Sequence, residues 1–228
     1  MHSTKDNLQV LFEDNHLIII NKRAGDIVQG DKTGDKPLSD IVKEYIKAKY
    51  QKPGNVFLGV VHRLDRPTSG IVIFARTSKA LERLNSMLRE KLIQKTYWAV
   101  VNDSPKKESD TLINYLKKNP KNNKSTVFQK EVEGSKKAIL HYQIIKKLDR
   151  YSLVEVDLET GRHHQIRAQL AAIGCVIKGD LKYGAKRSNK DGSIHLHARK
   201  IEFTHPVNKE TITIFAPVPE DTIWKACL

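Results

Sequence analysis

An aspartate set among cations is the first place where chemistry is legible in this chain. Asp65 follows His62 and Arg63 and precedes Arg66, within the segment HRLDRPTS that separates two apolar runs at 56–61 and 70–75. Positive neighbours keep a carboxylate ionised even where water is excluded, which nucleophilic work requires. The flanking runs have the length of buried strands, so the loop would spring from a rigid scaffold. The same aspartate also suits an Asx-turn into Pro67-Thr68, so alone it defines no site.

Three further groups could join it. Tyr97 lies in KTYWAVV, whose pattern suggests a strand and whose ordinary use is packing. The segment TGRHHQIR, residues 160–167, reads as the first turns of a helix with an apolar opposite face. There Arg167 lies four residues beyond His163 and would project from the same side. His195 and His197 alternate as on a strand and would face the same way. Nine histidines invite a metal-ligand reading, but no carboxylates fall beside them at a tight ligand spacing.

The elements that must hold these groups follow from periodicity. A hairpin is expected from residues 8–12 and 17–21, turning through Glu13-Asp14-Asn15. Ser39 is the cap candidate for a helix carrying Ile41, Val42, Tyr45 and Ile46, and Ser78 for a second carrying Leu81, Leu84 and Leu88. Strands are expected at 56–61, 70–75 and 96–101. Residues 104–137 hold nine lysines with scattered apolar positions and read as a loop-rich insertion or a weakly structured edge. Such a stretch is ordinary solvated surface or, in the sharper reading, a phosphate contact. Residues 138–146 and 151–158 suggest paired strands. A helix with Ile166, Leu170 and Ile173 ends at Gly174, and short strands follow at 194–198, 200–203 and 211–215. Strands interrupted by a few helices imply an α+β fold on a mixed, largely antiparallel sheet with flanking helices.

Bulk properties narrow the partners. The 228 residues are 39% hydrophobic and 29% charged, too apolar for disorder and too polar for a membrane protein, and no apolar run approaches membrane-helix length. MHSTKDNLQV lacks an apolar signal core, so a cytoplasmic protein is expected. Cys175 and Cys227 show no CxxC spacing and fit a reducing compartment. Forty Lys and Arg against 26 Asp and Glu leave +14, which suits a polyanion or a well-solvated surface. The lysine-rich excess favours affinity over base reading, because a guanidinium fork discriminates better than an ammonium.

The motifs, taken in order, resemble the RluA-type family of RNA pseudouridine synthases. His62-Arg63-Leu64-Asp65 with Thr68-Ser69-Gly70 matches that family's HRLD-x-x-TSG motif in full. Supporting matches are Glu13-Asp14-Asn15 through Asn21-Lys22, and Lys95-x-Tyr97-x-Ala99-x-Val101. Later come Thr160-Gly161-Arg162-x-His164-Gln165-Ile166-Arg167, Gly179-Asp180-x-x-Tyr183-Gly184, and Leu196-His197-Ala198 leading to His205-Pro206. The resemblance spans about residues 8 to 217. It implies that Asp65 is the catalytic aspartate, that Tyr97 packs against the uracil, and that Arg167 pairs with the aspartate. It implies that Arg63 helps displace the target base, with further substrate contacts from His62, Arg162, His164 and Gln165. It also implies a central RNA-binding cleft and chemistry without metal or organic cofactor.

The expectation is therefore a single catalytic domain over 1–228, monomeric and without a separate N-terminal RNA-binding domain, acting on structured ribosomal or transfer RNA. Uridine isomerisation breaks the ribose–N1 bond and forms ribose–C5 with no redox change. A carboxylate beside the sugar, an aromatic wall and a dry pocket suit that task. Extruding the base from its stack costs a few kcal/mol, which phosphate contacts offset. His163 and Gln169 depart from the family's usual threonine and histidine, which bears on substrate contacts rather than on the reaction. Two alternatives stay open at this point: an inactive RNA-binding protein of the same fold, and a metal-dependent nucleic-acid hydrolase.

Overall fold

The computed structural model describes residues 2–31 and 33–228. The chain divides into two compact units. One runs from the N-terminus to Ile93 and includes Ala198–Pro219; the other comprises Gln94–His197 and Glu220–Leu228.

The first stretch supplies β1 (Val10–Glu13), β2 (Leu17–Lys22), α1 (Leu38–Lys49), β3 (Gly59–Val60), β4 (Ser69–Ala75) and α2 (Ser78–Arg89). The second supplies β5 (Gln94–Val101), β6 (Ser109–Asn119), β7 (Lys124–Phe128), β8 (Lys136–Lys147), β9 (Ser152–Leu158), α3 (Gln165–Ala172) and a 3-10 turn at Leu181–Tyr183. The tail adds β10 (Leu196–Thr204), β11 (Thr211–Phe215) and α4 (Thr222–Cys227). The boundary between the units falls inside β10, after His197.

In the first unit the strand order is β1-β2-β4-β10, with β3 on β4 and β11 on β10. Asp14 makes the first turn, its Oδ1 accepting from the amides of His16 at 2.7 Å and Leu17 at 2.6 Å. Every residue of β2 and β4 is buried, which is why neither run alternates in the sequence. Leu38, Val42 and Ile46 of α1 pack on Ile18, Ile20, Val72 and Phe74. Each such side chain contributes about 1.5–3 kcal/mol of burial.

Two capping expectations need correction. Ser39 lies inside α1 and is buried, while Pro37 occupies the N-cap. No side-chain cap is required there, because the amides of Leu38 and Ser39 donate to the carbonyls of Ile27 (2.7 Å) and Val28 (3.2 Å). The cap of α2 is Thr77 rather than Ser78, with Thr77 Oγ1 accepting from the Ala80 amide at 3.2 Å. The strand expected at 56–61 shrinks to β3.

In the second unit the order is β5-β9-β8-β6-β7. Residues 104–137 depart from expectation: they form β6, β7 and the start of β8, not a loop-rich insertion. β6 and β8 pair antiparallel over eight residues, Ser109↔Gln143 to Leu116↔Lys136. The alternation of buried Asn114 and Leu116 with exposed Ile113 and Lys117 was obscured by lysine density. The two strands expected at 194–198 and 200–203 are one continuous β10. α4 was not anticipated; Asp221 caps it through Oδ1, which accepts from Ile223 (2.8 Å) and Trp224 (2.9 Å).

The pairings β1–β2, β2–β4, β3–β4, β10–β11, β5–β9, β6–β7, β6–β8 and β8–β9 are antiparallel, in keeping with the expected α+β class. Among the described residues, no helix is long and apolar enough to cross a membrane.

Candidate active-site residues

In the first unit, HRLD leaves β3 and returns into β4 through a backbone turn. The Thr68 amide donates to the Asp65 carbonyl at 3.0 Å, a main-chain bond that closes the turn. The Arg66 carbonyl at the turn's apex accepts from the Gly25 amide at 2.8 Å. The Arg66 guanidinium reaches outward to Asp35 Oδ2 at 2.6 Å and Thr33 Oγ1 at 2.8 Å. His62 Nε2 accepts from the Ile73 amide at 3.2 Å, which leaves Nδ1 protonated in the neutral ring. Asp65 is half-buried and Arg63 exposed.

Lys22 holds this turn from inside. It is 1% exposed, and Nζ donates to three carbonyls: Arg23 (2.9 Å), Asp26 (2.7 Å) and Arg66 (3.1 Å). Burial pushes its ammonium down to about 7, against the attraction of Asp26 and Asp65. Three acceptors around three N–H bonds favour the protonated form, since a neutral amine would turn a lone pair toward one carbonyl. Gly70, just past the turn, has φ +112°, and a Cβ there would sit 2.4 Å from the Ala198 carbonyl oxygen. Only glycine lets β4 approach β10 so closely.

In the second unit, Tyr97 stands on β5 opposite Val156 of β9 and is 8% exposed. Arg167 of α3 is buried and grips Asp180 with two bonds, Nε to Oδ2 at 2.7 Å and Nη2 to Oδ1 at 2.8 Å. Its Cζ lies 5.2 Å from the centre of the Tyr183 ring. The Tyr183 hydroxyl accepts from the Ser125 amide at 2.8 Å and meets His164 Nδ1 at 3.0 Å. Burial pushes the Tyr183 phenol up, so it stays protonated at neutral pH.

His164, before α3, adopts the left-handed conformation with φ 53°, uncommon for a residue with a side chain. His163 therefore lies outside the helix, stacked on the His164 ring at 3.8 Å, so the expected projection of His163 and Arg167 from one side of a helix is not realised. The amide of Gln165 bonds Thr160 Oγ1, the Arg162 amide and the Ile139 carbonyl, and so holds the turn before the helix. Arg162 is exposed, with Nε donating to the Lys137 carbonyl at 2.8 Å. Gln169 is fully buried and ties α3 to the sheet through Asn114 Oδ1 at 2.8 Å.

His62, Arg63 and Asp65 are thus gathered in one turn of the first unit. Arg162, His164, Gln165 and Arg167 are gathered around α3 in the second. Three participants had no role assigned from sequence. Lys22, Asp180 and Tyr183 were visible only as parts of motifs. The histidines that invited a metal are engaged otherwise. His195 stacks on Trp224 and reaches Asn189 through Nδ1 and Asp221 through Nε2. Among the described residues, no three His, Cys, Asp or Glu side chains are grouped to hold an ion.

The RNA pseudouridylate synthase family model matches residues 16–172, and the chain belongs to that family, whose members are isomerases. An uncharacterized RNA pseudouridine synthase of Synechocystis sp. is 34% identical over 93% of this chain and 66% of its own length. The ribosomal large subunit pseudouridine synthase C of Buchnera aphidicola (Acyrthosiphon pisum) is 36% identical over 96% of this chain and 70% of its own. The chain thus spans about two thirds of the length of these relatives. The solved human RNA pseudouridylate synthase domain containing 4 shares the fold, with a TM-score of 0.80, 22% identity, and coverage of 96% and 92% of the two chains.

Proposed function

We propose that this chain isomerises uridine to pseudouridine in folded ribosomal RNA, with Asp65 acting on the target nucleotide. The observation that carries the reading is the HRLD turn itself. A half-buried carboxylate is presented by a backbone turn clamped to a buried ammonium, within a chain of the pseudouridylate synthase family. Such fixation favours chemistry, because a reactive group held in one geometry needs little reorganisation.

Atoms and electrons balance without a redox partner. The ribose–N1 bond breaks, ribose–C5 forms, the C5 proton leaves and N1 regains a proton. Asp65 serves as the nucleophile or charge stabiliser, Tyr97 as the aromatic wall that retains the uracil, and Arg167 as fixed positive charge. Arg63, exposed on the turn, assists extrusion of the base, and His62, Arg162 and His164 complete the substrate contacts. Gln165 acts through the turn it holds. A large-subunit ribosomal target is favoured by the name of the Buchnera relative.

The test is tritium release from RNA carrying C5-labelled uridine. Asp65→Ala is expected to reduce release to background while RNA binding is largely retained. Turnover persisting in that variant removes Asp65 from the chemistry.

A further inference from the structure

Charge neutralisation of lysines is uneven along the chain. Lys36, Lys43, Lys49, Lys107, Lys147 and Lys200 each face a carboxylate within 3.1 Å. Between Asp110 and Glu131 the chain carries no acidic residue at all. Among the described residues, Lys118, Lys124 and Lys136 make no ion pair. Unneutralised ammoniums on a protein surface repel one another and invite an anionic partner.

Register places Lys118 and Lys136 beside the α3 residues. Lys118 stands opposite Ser125, and Lys136 opposite Leu116, and cross-strand partners share a face of the sheet. On that face Leu116 packs with Ala168 of α3 and with Tyr183, and the Ser125 hydroxyl donates to the His163 carbonyl at 2.7 Å. Lys124 Nζ lies 5.0 Å from the centre of the Tyr183 ring, the same ring that the Arg167 guanidinium approaches at 5.2 Å. The basic strip therefore runs up to the His164–Tyr183–Arg167 cluster.

The strip is also built to hold its shape. At the β6–β7 turn, Asn119 Oδ1 accepts from the Lys121 amide at 3.0 Å and Asn122 Oδ1 from the Lys124 amide at 3.1 Å. Asn123 takes the left-handed conformation, φ 49°, which asparagine tolerates better than most residues. Lys182, in the 3-10 turn beside Tyr183, donates to the carbonyls of Asn122 and Asn123 and ties the tip down.

We infer that Lys118, Lys124 and Lys136 form a preformed phosphate rail that grips the RNA backbone beside the nucleotide held by the α3 cluster. The inference rests on the reading of the chain as a uridine isomerase and adds where the substrate's backbone lies. Phosphate contacts of this kind set register and affinity without reading sequence.

The experiment compares Lys118→Gln/Lys124→Gln/Lys136→Gln with the wild type, using a fluorescent RNA hairpin that presents a uridine in its loop. Affinity measured across salt concentrations is expected to fall roughly tenfold to hundredfold, and the salt slope to shallow by about two to three units. In turnover, the loss should fall on KM much more than on kcat. The corresponding triple Lys→Arg variant should restore affinity, because charge rather than shape is at issue. Lys47→Gln/Lys52→Gln/Lys79→Gln, on exposed lysines of the first unit, is the control and should bind as the wild type does.

Undiminished RNA binding by the first triple variant, or an equal loss in the control, overturns the rail. The outcomes separate the two claims. A wild-type chain that releases no tritium defeats the isomerase reading, while the binding series still decides the surface. A wild-type chain that turns over with an unaffected triple variant defeats the surface alone.

Discussion

In the first unit the buried cation, Lys22, is satisfied by three backbone carbonyls, whereas in the second the buried cation, Arg167, is gripped by a carboxylate. The difference is one of what is being fixed. Carbonyls from residues 23, 26 and 66 converge on Lys22 only if two separate loops adopt the right path, so the ammonium organises main chain. Asp180 converges on the guanidinium alone, so it fixes the direction of one side chain. Asp65 needs its turn fixed, and Arg167, on a regular helix, needs only its fork aimed.

Removing each anchor should therefore cost differently. Asp180→Ala leaves a buried guanidinium short of two charged bonds, and about 3–5 kcal/mol of stability should be lost by denaturant unfolding. A loss below about 1 kcal/mol would mean that Arg167 is held chiefly by other groups. Lys22→Met strands three carbonyls but also removes a costly buried charge, so a smaller loss of about 2–3 kcal/mol is expected. Lys22→Arg should not rescue it, because a planar fork cannot meet three carbonyls arranged for a tetrahedral ammonium. Full stability with arginine at this position would dissolve the distinction between the two anchors.

A third buried group sharpens the comparison from the other direction. Burial lowers the pKa of His195, against the pull of Asp221, so the folded protein prefers this ring neutral. A folded pKa below the unfolded one means that the unfolded chain binds the extra proton. Stability is then intact above the ordinary histidine range and falls as pH drops through about 6.5. The slope is at most about 1.4 kcal/mol per pH unit. Urea midpoints at several pH values should show it, and His195→Gln should flatten it. An unchanged slope in that variant would assign the pH response to another group.

Much of the fold was legible because its elements are locally consistent. The Asp14 turn, the all-buried runs of β2 and β4, and the pairing of β8 with β9 follow from turn chemistry and period. The helix caps were misplaced by one or two residues, since backbone carbonyls from residues 27 and 28 did the work assigned to Ser39. The second unit's edge was misread because nine lysines hid a period-2 pattern whose exposed face tolerates any polar residue.

The candidate residues divide in the same way. Asp65, Tyr97 and Arg167 were picked out by motif, a property of the linear order of residue types. Lys22, Asp180 and Tyr183 gained meaning only from their partners: the Arg66 carbonyl 44 positions away, the Arg167 guanidinium 13 away, the Ser125 amide 58 away. By itself the sequence determined the family and the class of fold and nominated Asp65 as the candidate acid, because side-chain type and spacing are local facts. Which charges are buried, and what solvates them, was decided by the tertiary structure, because desolvation and hydrogen-bond partnership depend on chain segments that meet only on folding.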